Sequence, residues 1–170
     1  MSTATFNTYY KSPIGRLRIA GNDEAIHAVS FCEDLDLPLT AVPAIGLLCI
    51  RQLQEYFAGA RKTFDLPLQP AGTIFQQQVW QNLKQIPFGK TCSYLEVARA
   101  VSGEKVIRAV GAANGRNPLC IIVPCHRVIG SDGSLTGYAG GLWRKEWLLR
   151  HEGVLRAAPQ LSFFSNEIMS

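Results

Sequence analysis

Three short runs near the start, FNTYYK, GRLRIA and AIHAVSF, mix β-branched, aromatic and aliphatic residues with polar ones, and SPIG and GNDE separate them with turn residues. That pattern predicts three strands. The period then changes. In IGLLCIRQLQEYFAG the positions Ile45, Leu48, Gln52/Leu53 and Tyr56/Phe57 recur near 3.6 residues, which predicts a helix that Gly59 can end. KTFDLPLQPAG, with two prolines and a glycine, reads as a short strand followed by a connection. Residues 1–71 are therefore expected to form a small α/β unit with its linker.

Beyond that point helical patterns dominate. Thr73 and Gln76 fit a capping box, and Phe75, Val79, Leu83 and Ile86 then form one apolar stripe that stops at Pro87-Phe-Gly89. Ser93 and Glu96 make a second box and open a short helix through Val101. Ser102-Gly103 supplies a turn. A third helix is expected from Lys105 to Asn114, closed by Asn114-Gly115, residues that tolerate the left-handed conformation. Two short helices across a glycine-containing turn are the layout of a helix-turn-helix. The second carries Lys105 and Arg108, while Ala109, Gly111, Ala112 and Ala113 have almost no side-chain bulk. Such a helix can pack closely on its neighbours or approach a sugar–phosphate backbone, and the pattern leaves both open. LWRKEWLLRHEG is the last helix, stopped by Gly153. The mainly helical unit is expected over 72–155, and the tail 156–170, without a clear period, to be loosely ordered.

Composition narrows the class. A chain of 170 residues, 47% apolar and 18% charged, fits a soluble globular protein of one domain or two small ones. No apolar run approaches the ~20 residues that span a bilayer. MSTATFNTYYK lacks the basic-then-apolar order of a secretory signal, so a cytoplasmic location without membrane partners is expected. Five cysteines, an odd number with no CxxC, argue against a disulfide framework. Cys120, Cys125 and His126 have no second ligand pair at zinc spacing, so no metal is expected. The net charge of +4 is uneven: residues 1–71 carry six Lys/Arg against seven Asp/Glu, and residues 72–170 carry eleven against six. A basic second half suits an anionic partner such as nucleic acid.

The candidate chemistry lies in NPLCIIVPCHRV, residues 117–128, where the end of what reads as a buried strand leads through Pro124 to a thiol, an imidazole and a guanidinium. A free thiol has a pKa near ~8.5, so a nucleophilic cysteine needs a base or a positive field. Neighbours on an extended chain point to opposite faces, so His126 need not touch Cys125, and a water can stand between them. Pro124 fixes its own φ and suits an exposed, rigid turn. A carboxylate usually holds such a base, and Glu152, closing the last helix, is the candidate. His151 beside it reads as a partner of the helix dipole. By themselves these residues fit a buried structural cysteine more often than an activated nucleophile.

Together they resemble the O6-alkylguanine-DNA alkyltransferases, or methylated-DNA–protein-cysteine methyltransferases. VPCHRVIGSDGSLTGYAGG is similar to that family's acceptor-cysteine motif and following loop, RAVGAANGRNP to its recognition helix and asparagine hinge, TIFQQQVWQNLKQIPFGKTCSY to the entry of its DNA-binding half, and WRKEWLLRHEG to its closing helix. The resemblance covers about residues 73–153, with the N-terminal strands and EYFAG fitting less specifically. It implies a small ribonuclease H-like N-terminal α/β domain, a helical C-terminal domain with a helix-turn-helix, and no cofactor. It also implies DNA repair by single-turnover transfer of an alkyl group from O6-alkylguanine to Cys125 after base flipping, with O4-alkylthymine as a further candidate substrate.

Carried over, the resemblance makes His126 a water-mediated base, Glu152 the residue orienting it, and Asn117 a hinge and hydrogen-bonding residue. Tyr94 rotates the nucleotide and helps protonate the leaving guanine. Arg108 is a finger filling the base stack, and Lys105, Ala109, Ala112 and Ala113 meet DNA in the minor groove. Val128, Tyr138, Ala139 and Gly140 wall the pocket. The implied partner is double-stranded alkylated DNA, bound by a monomer, with cooperative loading left open. The sequence departs from the family in three places. No Cys/His set matches the N-terminal zinc site of some members, Ala139 stands where others can have serine, and Cys120 is a second thiol, read as structural. A silent lesion-binding module and a Cys-His-Glu hydrolase are the competing classes. The acceptor cysteine speaks against the first, and the helix-turn-helix with the basic half against the second.

Overall fold

The computed structural model describes residues 4–33 and 40–155. The tail expected at 156–170 lies outside the described residues. The first three runs form an antiparallel sheet in the order β1 (Phe6–Ser12), β2 (Gly15–Gly21), β3 (Ile26–Phe31). Along β2, Leu17 and Ile19 are buried while Arg16 and Arg18 face outward, so side-chain alternation sets the register in which Leu17 pairs with Tyr10 and Phe31. Helix α1 (Ala44–Phe57) packs on this sheet through Cys49, Gln52, Leu53 and Tyr56. Its buried stripe includes Cys49 where the expected one had Leu48, and Gly59 at φ +80 follows the end.

The second half holds α2 (Ile74–Leu83), α3 (Tyr94–Val101), α4 (Ile107–Gly115) and α5 (Leu142–His151), with β4 (Cys92–Ser93) pairing in parallel with β5 (Val128–Ile129). Both capping boxes form: the Thr73 and Ser93 side chains accept the backbone N–H of Gln76 and Glu96, whose side chains reach back. Each cap contributes on the order of 1 kcal/mol. One apolar core runs through both halves, with Leu17, Ile19 and Leu53 continuous with Val79, Leu83, Val110 and Leu148.

Four expectations change. KTFDLPLQPAG is reduced to a single bridge, Leu68 with Ile26. The third helix opens with a 3₁₀ turn, Glu104–Val106, before α4 begins. Neither Asn114 nor Gly115 is left-handed; α4 runs through Gly115, and the Asn117 side chain organises the exit instead. Finally, 119–123 is not a strand. Leu119 makes one parallel bridge with Val29, and the chain then turns at Ile121, whose φ of +73 breaks the extension. A β-branched residue in that region costs on the order of 1–3 kcal/mol, which its burial and the surrounding hydrogen bonds offset. The consequence is positional. Through Val29 N–H to Pro118 O and Cys120 N–H to Val29 O, the edge of the N-terminal sheet holds the segment that leads to Cys125.

Candidate active site

The segment is closed from within by Asn117. Its Nδ2 donates to Val123 O (2.8 Å), and its Oδ1 accepts from Leu119 N–H (3.0 Å). Asn114 adds a longer bond from Nδ2 to Cys125 O (3.4 Å). Pro124 then leads into a 3₁₀ turn, Cys125–Arg127. This turn is not exposed: Cys125, His126 and Arg127 are 4%, 0% and 6% accessible. Pro124 fixes a backbone angle, which says nothing about burial. Burial pushes the Cys125 thiol up, against the Asn117 side chain and the Lys145 charge that pull it down, so at neutral pH the resting sulfur is protonated and needs a base.

The structure brings His126 and Glu152 together. Nε2 lies 2.8 Å from Glu152 Oε2, and since a carboxylate only accepts, Nε2 carries the proton. The other nitrogen, Nδ1, is buried without a protein partner among the described residues and keeps its lone pair. Burial lowers the His126 pKa, with Arg127 and Lys145 acting in the same sense and Glu152 opposing, so the ring is neutral at pH 7. Glu152 is the hub. Burial alone would raise its pKa, but His126 and Arg127 hold it well below the usual carboxylate range.

Three residues that sequence reasoning missed, or left as structural neighbours, complete the network. Arg127 grips Glu152 with Nε to Oε1 (2.7 Å) and Nη2 to Oε2 (3.0 Å), and anchors itself by Nη1 to Ile86 O (2.7 Å). Tyr56, from α1, donates its hydroxyl to Oε2 at 2.6 Å. Lys145 is fully buried, and its Nζ donates to Val128 O (2.6 Å) and Thr136 O (2.8 Å). Desolvation pushes its pKa down to about 8, while Cys125 raises it, so the two groups feel each other. A signal for Lys145 was present: Lys145, Leu148, Leu149 and Glu152 share one helical face, a cation on an apolar stripe. His151 is more than a dipole partner. Its Nε2 donates to Tyr56 O (2.7 Å) and its ring stacks on Trp147.

The expected pocket residues lie around this centre. Tyr94, first residue of α3, donates its hydroxyl to Thr136 O (3.1 Å), the carbonyl that also takes Lys145. Val128 and Gly140 are buried, Ala139 is exposed, and Tyr138 is half-buried with its ring edge on Phe31. A Cβ on Gly140 would meet Phe31 at 2.8 Å and Tyr138 at 3.0 Å, so the close approach requires glycine. Arg144 pins this loop to the N-terminal sheet: Nε donates to Ile14 O (2.7 Å), Nη1 to Gly140 O (2.8 Å), and the guanidinium lies over the Phe31 ring at 4.4 Å.

On α4, Arg108, Ala109 and Ala112 are exposed, as is Lys105 in the turn before it. Cβ atoms built on Gly111 and Gly115 would meet nothing within 4 Å, so this face has room outside it. Ala113 differs from expectation: it is 2% accessible, on the inner face, and its carbonyl accepts from Trp80 Nε1 (2.8 Å). It therefore packs inward and does not join Ala109 and Ala112 on the outer face. Among the described residues no cluster of three or more His, Cys, Asp or Glu could hold a metal, and no helix is long and apolar enough to cross a membrane.

Comparison with known proteins gives a consistent picture. Residues 74–154 match the family model described as 6-O-methylguanine DNA methyltransferase, DNA binding domain, and residues 5–70 match its ribonuclease-like domain. A methylated-DNA–protein-cysteine methyltransferase of Methanosarcina acetivorans is 48% identical over 149 residues, 85% of this chain and 96% of its own length. The constitutive methylated-DNA–protein-cysteine methyltransferase of Bacillus subtilis is 63% identical over 105 residues, 61% of this chain and 64% of its own. The crystal structure of Mycobacterium tuberculosis O6-methylguanine methyltransferase superposes with a TM-score of 0.80 at 43% identity, covering 95% of this chain and 99% of that one. A Mycobacterium tuberculosis OGT structure in complex with DNA matches with a TM-score of 0.79 at 44% identity, over 86% and 92% of the two chains.

Proposed function

The chain belongs to the methylated-DNA–protein-cysteine methyltransferase family, enzymes of DNA alkyl-transfer repair, and from that premise we propose that Cys125 accepts the alkyl group, once per molecule. The observation that carries this is the burial of Cys125 beside neutral His126, whose Nε2 lies 2.8 Å from Glu152 and whose Nδ1 is left without a protein partner among the described residues. His126 Nδ1 takes the thiol proton through a water, and Glu152 stabilises the imidazolium that forms. The thiolate then bonds to the alkyl carbon as the carbon–O6 bond breaks and its electron pair stays on guanine. Tyr94 hands guanine a proton, so the leaving base is neutral, and the proton held by His126 returns through water to restore the Tyr94 hydroxyl. Lys145, buried nearby, favours the thiolate electrostatically. The product thioether has no group beside it that would hydrolyse it, which limits the protein to one turnover.

Delivery of the base to a buried thiol requires that it leave the duplex. The α3–turn–α4 unit acts as a helix-turn-helix docked in the minor groove, where the small outer face of Ala109, Gly111 and Ala112 permits close approach. Lys105 meets phosphate, and Arg108 enters the stack in place of the extruded nucleotide. Tyr94 turns that nucleotide, and Val128, Tyr138, Ala139 and Gly140 receive it. O4-alkylthymine presents the same alkyl–oxygen bond and is a second substrate. The domains fall at 1–71 and 72–155, and the protein acts as a monomer in the cytoplasm.

Labelled alkyl groups on duplex DNA should pass to protein and saturate at one per chain; continued turnover would reject the acceptor reading. Arg108→Ala tests the DNA side. If Arg108 replaces even ~1.4 kcal/mol of lost stacking, the variant reacts with alkylated duplex about 10-fold more slowly or worse, yet with free O6-alkylguanine within about twofold of the parent. Equal losses on both substrates would reject the finger role.

A further inference from the structure

Tyr56 lies in the N-terminal half, 96 residues from the carboxylate it touches. It is fully buried, and its ring packs against Phe57, Phe64, Phe88 and His151. A phenylalanine would satisfy every one of those ring contacts. The hydroxyl is needed only by Glu152, which can do nothing but accept from it.

The carboxylate is shared unevenly. Oε1 takes Arg127 Nε (2.7 Å) and a long bond from Gly89 N–H (3.4 Å). Oε2 takes three donors: Tyr56 Oη (2.6 Å), His126 Nε2 (2.8 Å) and Arg127 Nη2 (3.0 Å). Tyr56 and His126 thus compete for one oxygen. A donor that draws charge from Oε2 leaves less for the imidazolium that forms when His126 takes a proton.

We propose that Tyr56 is a positioning residue of the reaction: its hydroxyl, delivered by α1, sets how strongly Glu152 supports protonated His126, so the N-terminal half is part of the chemical site. This rests on His126 being the base for Cys125. The charged and titratable groups that face the pair are few. Cys125 and Arg127 come from the same 3₁₀ turn, Lys145 from α5 and Tyr56 from α1; His151, also from α5, meets the Tyr56 ring and backbone carbonyl, and the 88–89 loop offers a backbone N–H and the Phe88 ring. Tyr56 stays protonated, since burial and then the Glu152 charge both raise its pKa. It therefore acts by donation alone.

The sign follows. Without the hydroxyl, Glu152 accepts more strongly from Nε2–H, the imidazolium is favoured and the His126 pKa rises. The base must be neutral to work, so the acid limb of the rate–pH profile moves to higher pH.

The test measures single-turnover transfer from alkylated duplex across pH for the full-length protein, Tyr56→Phe, and a form carrying 3-fluorotyrosine at position 56. Phe should move the acid limb up by about half a unit, and fluorotyrosine, a stronger donor, should move it down. Opposite displacements cannot come from loosened packing, which lowers the rate at every pH. In a Glu152→Gln background, Tyr56→Phe should leave the limb where it is. A limb that stays put in both Tyr56 forms, while the parent keeps a limb that His126→Gln removes, would overturn the Tyr56 role alone. If the parent limb survives His126→Gln, the base assignment falls, and this inference with it.

Discussion

Cys125→Ser is expected to bind alkylated duplex like the parent protein and to accept no alkyl group. A hydroxyl in place of the thiol fits the same buried site and can keep the Asn117 side-chain contact made to the sulfur, while the bonds of Asn117 to Val123 and of Arg127 to Ile86 and Glu152 are made to other atoms and stay. What is lost is the nucleophile. The thiol is already raised by burial, and in the proposed proton transfer to neutral His126 the Asn117 side chain and the Lys145 charge favour the thiolate. An alcohol is far less acidic, so the same base produces almost no alkoxide, and transfer should fall on the order of 10⁴-fold or more. Gel-shift titration beside a labelled-alkyl transfer assay separates the two properties. Retained transfer would remove Cys125 from its role, and lost DNA binding would make the substitution uninformative about chemistry and instead place the segment in the DNA interface.

Glu152→Ala should harm both activity and stability. It strands Arg127 Nε and Nη2, the His126 Nε2–H and the Tyr56 hydroxyl without their acceptor in the interior, leaving the guanidinium charge with the Ile86 carbonyl alone. Leaving a buried charge uncompensated costs about 3–5 kcal/mol, which urea unfolding at pH 7 would register as a lower midpoint. The free His126 ring loses its fixed tautomer, and transfer should slow by roughly 10²–10⁴-fold. A variant within about 1 kcal/mol of the parent would show that Arg127 finds another partner.

The pH dependence has two parts of the same sign in different pH windows. Glu152 has a depressed pKa in the fold, so its contribution is present above the unfolded carboxylate pKa near ~4.3 and is lost only in strongly acid solution. His126 is also depressed, and for a base too a lowered folded pKa means that stability falls as the solution becomes more acid. Below the unfolded imidazole pKa of ~6.5 the unfolded chain takes a proton that the buried ring refuses, so stability declines as pH falls from there. Removing His126 should flatten that first decline, and removing Glu152 should flatten the deeper acid one.

Local signals in the sequence were reliable where the physics is local. Thr73/Gln76 and Ser93/Glu96 predict capping boxes because cap and partner sit within one turn, and both form. The three strands follow from runs and turn residues that need no knowledge of the rest of the chain. The reading failed where tertiary partners decide. Ile121 to Val123 have strand-like residues, yet bonding to Asn117 and one bridge to Val29 turn them into a tight bend. Burial of Cys125 comes from surrounding elements that Pro124 cannot report. Glu152 could be chosen from sequence as the carboxylate closing the last helix, and the family resemblance paired it with His126. Tyr56 and Arg127 could not be given roles, because their partners lie 96 and 25 residues away, and Lys145, though legible as a cation on an apolar stripe, gave no sign of the carbonyl it meets 17 residues away. Ala113 was grouped with Ala109 and Ala112 by size, but position on the helix puts it inside.

The most direct measurement is proteolytic peptide mapping by mass spectrometry after the full-length protein meets duplex DNA containing O6-methylguanine. The account predicts one added methyl per chain, carried entirely on the peptide containing Cys125 as a thioether, with guanine restored in the DNA. A methyl on Cys120, Cys92 or another residue, or restored DNA in excess of protein, would contradict it.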